Sequence, residues 1–596
     1  MSKTRSFKLL RETDRYLLRQ VREMEPGYLG CVLVMAVESI VLPVLSVSLL
    51  QCIVDGLLEN EALGTVLLYT GILFAVGLLT AAVNRHMKIR LGRHEASFTD
   101  KMEARLSEMS MKVRYELLDK ENYVRGSDRA YRPLRNQGAL KGYARSISDL
   151  TQSVLLTLSI IGIIVSCNAV VLIIVVGAAA AIHVLNQYKL KIDLQYEDMM
   201  ATIDRRYEYY DKLICDMSFG KEVRLYDMQD YLMKKIRSDN KKTLGGTFTS
   251  MYKAYGRIDG TCGLIKHLER VVICGLLVYS VLKGSLSIGG FTAAMAASAS
   301  LSRYINTLIE SYFSYKKNVG YLNGLKEHLE MCEANSEPAE APEDKGSGLL
   351  PVRFDDVSFR YEGSEQNALS HVDLVFEQNK RYAIVGENGA GKTTLIKLLM
   401  GFYTPQSGSV MINGEPDCGQ IKGKSMPLFQ QVNQYPVTIR RNITLGSNDD
   451  PESFAKAIGF SRLEPLIAAY GTETCLCRDY DHAGIDLSGG EKQRVALARS
   501  LYHKGGVTIM DEPTSSMDPD MEMHVYTDLD SYRPQDCTII VSHRMACCRF
   551  VDQVIVMKEG CVCATGAHKE LLGSNEYYRK LWNAQAERYE NESCSY

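Results

Sequence analysis

Net charge is almost missing from this chain. Its 69 Lys and Arg against 71 Asp and Glu leave a formal charge of −2 over 596 residues. That removes any global electrostatic argument for a nucleic-acid partner. Zinc-site spacing is missing too. Among 16 cysteines, the close pairs Cys475/Cys477, Cys547/Cys548 and Cys561/Cys563 do not form a C-x2-C pattern, so they read as reduced, mostly buried thiols of a cytosol-facing protein. The opening stretch MSKTRSFKLLRETDRYLLRQ has no early apolar segment, so no cleavable signal peptide is expected. Long apolar runs are absent from the second half of the chain; all lie before about residue 310. A chain of this length is expected to hold two or more domains, and this asymmetry says they differ in kind.

Six apolar segments fill the first half, at 28–54, 64–84, 148–167, 169–187, 260–282 and 288–310. Most reach the ~20 residues that cross a bilayer core. The third and fourth meet at Cys167-Asn168 and read as a hairpin. The sixth, GGFTAAMAASASLSRYINTL, is rich in Gly, Ala and Ser, which favours close helix packing over lipid contact. Lys and Arg concentrate in residues 1–26 and in the loops 85–147 and 188–257, while the loop with Asp55, Glu59 and Glu61 is acidic. The positive-inside rule then places both termini and the long loops in the cytoplasm of a multi-pass protein of the cell membrane, in contact with membrane lipid. Those loops are too long to be structureless. They read as helices continuing beyond the membrane and turning near 118–123 and 216–224. Segment 7–24 sets Phe7, Leu10, Tyr16, Leu17 and Val21 among charges, as an interfacial helix or a solvated cytoplasmic one would.

The expected domains are therefore an N-terminal cytoplasmic or interfacial helix (1–26), a six-helix membrane domain (27–332), a linker (333–348), a soluble domain (349–585) and a tail (586–596). The linker, EANSEPAEAPEDKGSG, has a flexible composition. Beyond it, short β-rich runs such as RYAIVG, VTIMD and CTIIVSH alternate with helical stretches, as in an α/β domain with a mainly parallel sheet.

That domain carries the chemistry. After the strand Tyr382–Val385 comes Gly386-Glu387-Asn388-Gly389-Ala390-Gly391-Lys392-Thr393-Thr394, opening a helix. Strand, glycine-rich loop and helix together make a phosphate loop: backbone N–H groups curl round phosphates, Lys392 supplies a point charge, and the Thr393 hydroxyl suits Mg²⁺. The strand Val507–Asp511 ends in a carboxylate suited to Mg²⁺, and Glu512 beside it is placed to polarise a water. An acidic strand end capped by a helix would look the same. In Leu487-Ser488-Gly489-Gly490-Glu491, Ser488 is a plausible helix N-cap, which alone would explain the turn; the functional reading is a second anion-binding helix start. His543 follows the strand CTIIV, at the strand end where an α/β site forms.

Together these residues resemble the ATP-binding-cassette transporters of exporter type, in which a six-helix membrane domain is fused to an α/β phosphate-loop ATPase. The resemblance covers nearly the whole chain, and Leu-Ser-Gly-Gly-Glu is its most specific element. It implies that Tyr361 stacks on adenine, that Gly386, Asn388, Gly389, Ala390, Gly391, Lys392, Thr393 and Thr394 bind ATP, and that Gln430 senses Mg²⁺. Gln431 and Gln434 are rivals for that last role, although spacing to Thr438-Ile439-Arg440 favours Gln430. Asp511 is the implied metal-binding aspartate, Glu512 the catalytic glutamate and His543 the switch histidine. Ser515-Ser516-Met517-Asp518 takes the place of the more usual Ser-Ala-Leu-Asp and keeps Asp518. Within such a family Ser488, Gly489, Gly490 and Glu491 close the ATP site of a second chain. The implied partner is thus a second half-transporter, a homodimer being chemically sufficient and a heterodimer possible. The turns near 118–123 and 216–224 resemble coupling helices. With fewer than 30 residues before the first span, no N-terminal peptidase domain is expected.

Charges inside the spans are the only sequence clue to a cargo. Glu38 lies in the first, and Lys266, Glu269 and Arg270 share one face of the fifth. They line a polar substrate path or form an internal ion-pair network. The expected activity is ATP-driven export of a small amphipathic molecule, peptide or lipid by alternating access. The alternative is an ATP-gated regulator or channel-like protein that does not pump, which intact Glu512 and His543 argue against.

Overall fold

The computed structural model describes residues 3–59, 62–135, 138–167, 169–336, 351–416, 425–447, 450–478, 480–503, 505–512, 517–532 and 536–593. Most of the linker and Ser515-Ser516 lie outside them. The chain divides into two compact units. One comprises Met1–Lys112 and Asn122–Ala334; the other comprises Val113–Glu121 and Asn335–Tyr596.

The first unit is helical. Its helices are α1 (Lys3–Met24), α2 (Tyr28–Leu58) and α3 (Leu63–Lys112), then, past the short α4 (Tyr115–Leu118), α5 (Glu121–Arg135), α6 (Ala139–Cys167), α7 (Ala169–Cys215), α8 (Met217–Leu225), α9 (Gln229–Lys242), α10 (Thr249–Leu282) and α11 (Ile288–Ala334). Helix α3 has 50 residues, about 75 Å at 1.5 Å per residue, against a hydrocarbon core of about 30 Å. Helices α7 and α11, at 47 residues each, are nearly as long, and in α3 and α7 an apolar stretch long enough to cross a membrane and a long polar extension share one helix. Among the described residues, four helical segments are long and apolar enough to cross a membrane: Tyr28–Leu58, Leu63–Lys112, Ala139–Val165 and Ala169–Lys189. The fifth and sixth apolar segments are helical within α10 and α11 but fall short of that apolarity. Lys266, Glu269 and Arg270 dilute the first of these, and Gly, Ala and Ser dilute the second.

Packing explains the small residues. Gly289, Gly290, Ala293, Ala294, Ala297 and Ser298 of α11 are buried, and the alanines pack with Ile160 and Ile164 of α6, Val171 and Val175 of α7 and Leu277 of α10. A second cluster joins Leu17 and Val21 of α1, Tyr28 and Val32 of α2, Phe98 and Met102 of α3, Tyr143 of α6 and Leu322 of α11. From Leu10 to Met24 the apolar face of α1 is thus covered by protein. Glu25, just after α1, binds that turn to α3: it accepts from Ser97 at 2.5 Å and Lys101 at 2.6 Å and lies 2.6 Å from His94 Nδ1. Burial raises its pKa, but these partners outweigh burial and bring it down to about 2.

The start of α11 is capped from another helix. Asp55 accepts from the Gly289 N–H at 2.9 Å and from the Ser287 hydroxyl at 3.0 Å. A Cβ on Gly289 would stand 2.3–2.6 Å from that carboxylate. Asp55→Ala removes the cap, at about 1 kcal/mol. Gly289→Ala destabilises the native chain by expelling the carboxylate, yet becomes neutral or favourable once Asp55 is gone, because alanine is the better helix former. Thermal melting of the four chains of this cycle in detergent checks the expected non-additivity; additive losses would show that the cap is not the cause.

The second unit is α/β. A four-stranded antiparallel sheet, ordered β2-β1-β4-β5, comprises β1 (Val352–Phe359), β2 (Leu369–Phe376), β4 (Ser407–Ile412) and β5 (Glu415–Pro416). The larger sheet, ordered β10-β9-β3-β8-β7-β6, comprises β3 (Arg381–Val385), β6 (Ser425–Leu428), β7 (Val507–Asp511), β8 (Cys537–Val541), β9 (Gln553–Lys558) and β10 (Cys561–Gly566). Pairing is parallel from β9 through β6, and only β10 runs antiparallel. The helices are α12 (Lys392–Leu399), α13 (Ile439–Thr444), α14 (Pro451–Phe460), α15 (Glu464–Tyr470), α16 (Gly489–Tyr502), α17 (Pro519–Tyr532), α18 (His568–Ser574) and α19 (Glu576–Ser593). Strands β3, β7 and β8 are almost wholly buried, as continuous apolar runs in a covered parallel sheet should be.

Candidate functional site

Parallel pairing brings the carboxyl ends of β3, β6, β7 and β8 to one edge of the sheet, where open α/β sheets form their sites. From β3 the chain enters Gly386–Gly391. Gly386 has φ 158°, and a Cβ there would meet the Met557 carbonyl at 2.3 Å; Gly391 has φ 99° and precedes α12. Both positions demand glycine. The Lys392 ammonium donates to the carbonyls of Gly386 at 2.8 Å and Glu387 at 2.9 Å, closing the loop on itself. Burial lowers the Lys392 pKa, and the Glu512 and Asp511 carboxylates pull it back up. The neighbouring threonines differ. Thr394 is buried, with its hydroxyl 3.1 Å from that of Tyr361, whereas Thr393 is exposed at the loop edge.

The end of β7 holds the densest chemistry. Burial raises the Asp511 pKa, adjacent Glu512 adds to the rise, and Lys392 opposes it. Glu512 sits at φ 50°, a left-handed conformation that costs a non-glycine residue energy and is common at working sites. Its N–H donates to the Val541 carbonyl of β8 at 2.8 Å. Its carboxylate accepts from Gln430 Nε2 at 2.6 Å and lies 2.8 Å from His543 Nε2. Three strand ends thereby place Gln430, Glu512 and His543 in one hydrogen-bonded group. Of the three neighbouring glutamines, Gln430 is the one bonded to Glu512; the Gln434 amide nitrogen is buried without a partner.

Ser488 is the N-cap of α16. It forms a capping box with Glu491, which accepts from the Ser488 N–H at 2.8 Å and hydroxyl at 2.7 Å. The Ser488 hydroxyl and backbone lower the Glu491 pKa. Gly489 and Gly490 form the first turn, and Asp518 accepts from the Met521 N–H at 2.8 Å at the start of α17. Among the described residues, no hydrogen bond or ion pair joins Ser488–Glu491 to Gly386–Thr394. Tyr361 lies edge-on to Phe359 and Tyr403, with ring centroids 5.0 and 5.5 Å away.

Two contributors have no sequence signal. Gln585 of α19 donates to the His543 carbonyl and accepts from the Met545 N–H at 2.8 Å, fixing the loop that carries the histidine. Tyr403 donates to Asp119 and its ring meets Tyr115 at 5.8 Å, while Tyr115 stacks on Phe402 at 4.6 Å. The turn expected near 118–123 thus lies in part within the second unit. No side chain chemistry in the sequence pairs residues that far apart.

The charges of the helical unit are dispersed. Glu269 is buried and accepts from Ser302 at 3.2 Å; Arg270 is exposed. Among the described residues, no ion pair within 4.0 Å involves Glu38, Lys266, Glu269 or Arg270, and no contact joins Glu38 to the other three.

The ABC transporter family profile matches residues 369–515. The chain is 30% identical to the subtilin transport ATP-binding protein SpaT of Bacillus subtilis over 63% of its own length and 62% of that relative. It is 25% identical to the nisin transport ATP-binding protein NisT of Lactococcus lactis subsp. lactis over 96% of each. It is 29% identical to an ATP-dependent lipid A-core flippase of Idiomarina loihiensis over 54% of its own length and 55% of that relative. The chain thus spans about three fifths or less of two of these relatives and nearly all of the third. In fold it is similar to a bacterial Atm1-family ABC exporter with ATP bound, with a TM-score of 0.75 at 20% identity, covering 95% of this chain and 98% of that one.

If Ser488 acts first as a cap, Ser488→Ala costs α16 about 1 kcal/mol, so backbone amides of its first turn exchange with deuterium about fivefold faster. Unchanged exchange at Glu491 and Lys492 would remove the cap from the account.

Proposed function

We infer that this chain, which belongs to the ABC transporters and is a membrane protein with their exporter fold, hydrolyses ATP to export an amphipathic cargo, a peptide before a lipid. The observation that carries the ATPase reading is the Glu512 carboxylate, held in a left-handed conformation between Gln430 and His543 and electrostatically coupled to Lys392. A peptide ranks first because the two relatives named for subtilin and nisin transport include the one aligned along nearly the whole chain.

In this reading Lys392 leaves the Gly386 and Glu387 carbonyls to meet the β- and γ-phosphates, and the loop N–H groups hold the rest. Tyr361 carries the adenine, and Asn388, Gly389, Ala390 and Thr394 shape the loop. The group around Lys392 pairs one ammonium with two carboxylates, so an added polyphosphate needs a divalent cation to balance it. Thr393, Asp511 and Gln430 are the residues that would hold Mg²⁺, which when bound neutralises phosphate charge. Glu512 accepts the proton of the attacking water, and His543 supports the water and the γ-phosphate.

Ser488, Gly489, Gly490 and Glu491, with Asp518, face the phosphate loop of a second copy, so each ATP closes a dimer and biases the membrane helices towards an outward-open state. The turns near 118–123 and 216–224 transmit that bias. The ATPase unit and both termini lie in the cytoplasm, as the distribution of Lys and Arg supports.

Glu512→Gln keeps the shape of the site and lowers ATP turnover at least about 100-fold while ATP binding persists; undiminished turnover would remove Glu512 from catalysis and revive an unpumped, ATP-gated reading. Composite sites have a sharper test. A chain with Lys392→Ala and a chain with Ser488→Arg are each inactive as sole copies. Mixed in one membrane, they regain turnover, because one of the two sites of the mixed dimer is intact. If each chain built its whole site alone, mixing would restore nothing.

A further inference from the structure

Between α2 and α3, the residues Leu33, Val37 and Val41 on one helix face Val76, Leu79 and Val83 on the other without closing the seam. A groove of about 520 Å³ remains, with Glu38 in its lining. The side chains recur every three or four residues on both helices, so the groove runs along the helix pair rather than across it. Its walls are almost entirely apolar, and Thr80 is the one other polar residue in the lining.

Glu38 is out of place in such a lining. One of its carboxylate oxygens is buried with no hydrogen-bond partner, although buried carboxylates in membrane segments are ordinarily paired. Lys88 of α3 acts on it electrostatically, but among the described residues no ion pair within 4.0 Å involves Glu38. Pro43, one turn beyond Glu38, has no N–H for the Ser39 carbonyl four residues before it. The polar atom left without a partner in this lining is the Glu38 carboxylate oxygen.

We propose that the α2–α3 groove is a binding site for a cationic amphiphile, with the apolar chain along the valine and leucine walls and the ammonium or guanidinium group on Glu38. The proposal deepens the export reading by giving the cargo a charge, and it rests on that reading only for its biological meaning. A membrane aminophospholipid fits less well, because its phosphate would enter beside a carboxylate. An anionic amphiphile would add like charge to Glu38.

The test is equilibrium binding of a spin-labelled alkyltrimethylammonium probe to the full chain in neutral maltoside micelles, read from the immobilised fraction. An alkyl sulfate of equal chain length serves as control. The cationic probe binds about tenfold or more tighter than the sulfate, and Glu38→Gln removes that preference. Lys88→Ala leaves cation binding unchanged or strengthens it, since it removes a competing charge. Equal binding of the two probes, full retention by Glu38→Gln, or displacement by stoichiometric phosphatidylethanolamine would overturn the proposal. Binding needs no turnover, so a chain carrying Glu512→Gln still binds the probe. A failed transport assay with intact probe binding would therefore count against export and not against the groove.

Discussion

A parallel sheet whose strands are buried on both faces can offer polar side chains to a ligand only at its ends, and the candidate ATP site depends on this constraint. Strands β3, β7 and β8 are mostly apolar, with Thr508 and Thr538 buried inside them, and the chain turns to the site at their carboxyl ends, at Gly386, Asp511–Glu512 and Ser542–His543. Register does the rest. Asp511 pairs with Val541 across β7 and β8, so Glu512 and His543 emerge side by side, and the Glu512 N–H is held by Val541 itself. The left-handed turn at Glu512 is what lets one carboxylate reach both His543 and Gln430. The energy of that strained conformation is offset by burial of the strands that impose it.

Legibility from sequence followed the range of the interactions. The phosphate loop, the Ser488 cap and the carboxylates after β7 are local patterns, because the residues that form each are consecutive or nearly so in sequence. Spacing to Thr438-Ile439-Arg440 already favours Gln430 over Gln431 and Gln434, and the hydrogen bond from Gln430 to Glu512, 82 positions away, is a contact that spacing does not carry. Gln585 and Tyr403 were invisible for the same reason. Gln585 acts through hydrogen bonds to the His543 carbonyl and the Met545 N–H and Tyr403 through one to Asp119, all distant in sequence, and neither stands in a motif.

In the helical unit the sequence spoke clearly about apolar length and less clearly about what each helix faces. Segments 28–54 and 64–84 are apolar on most sides, with Glu38 the charged exception, whereas α11 carries small residues where it meets protein and α10 carries both the buried Glu269 and the exposed Arg270. The Asp55 cap shows how far this goes: a carboxylate read from sequence as part of an acidic exterior loop supplies the acceptor that starts α11. The reading of Glu38, Lys266, Glu269 and Arg270 as one path or network rested on their lying inside apolar spans and, for the last three, on helical spacing. The structure sets Glu269 against Ser302 and Glu38 beside an apolar groove, two environments with opposite demands.

The turn at 113–121 bears on how a nucleotide could be felt beyond its own site. Tyr361, the residue whose resemblance assigns it to adenine, lies edge-on to Tyr403; Tyr403 meets Tyr115 and donates to Asp119; and Lys397 lies 5.6–5.9 Å from all three tyrosine rings. Close-packed aromatic clusters do not yield at one ring without displacing the next. A base stacked on Tyr361 would therefore restrain Tyr403, and through Tyr403 the Asp119 turn. The coupling role proposed for the turn near 118–123 would have a physical route starting at the base, whereas the proposed catalytic group at Glu512 would respond to the γ-phosphate. The two routes are separable because they share no residue: one passes through aromatic packing at the end of β1, the other through hydrogen bonds at the ends of β7 and β8.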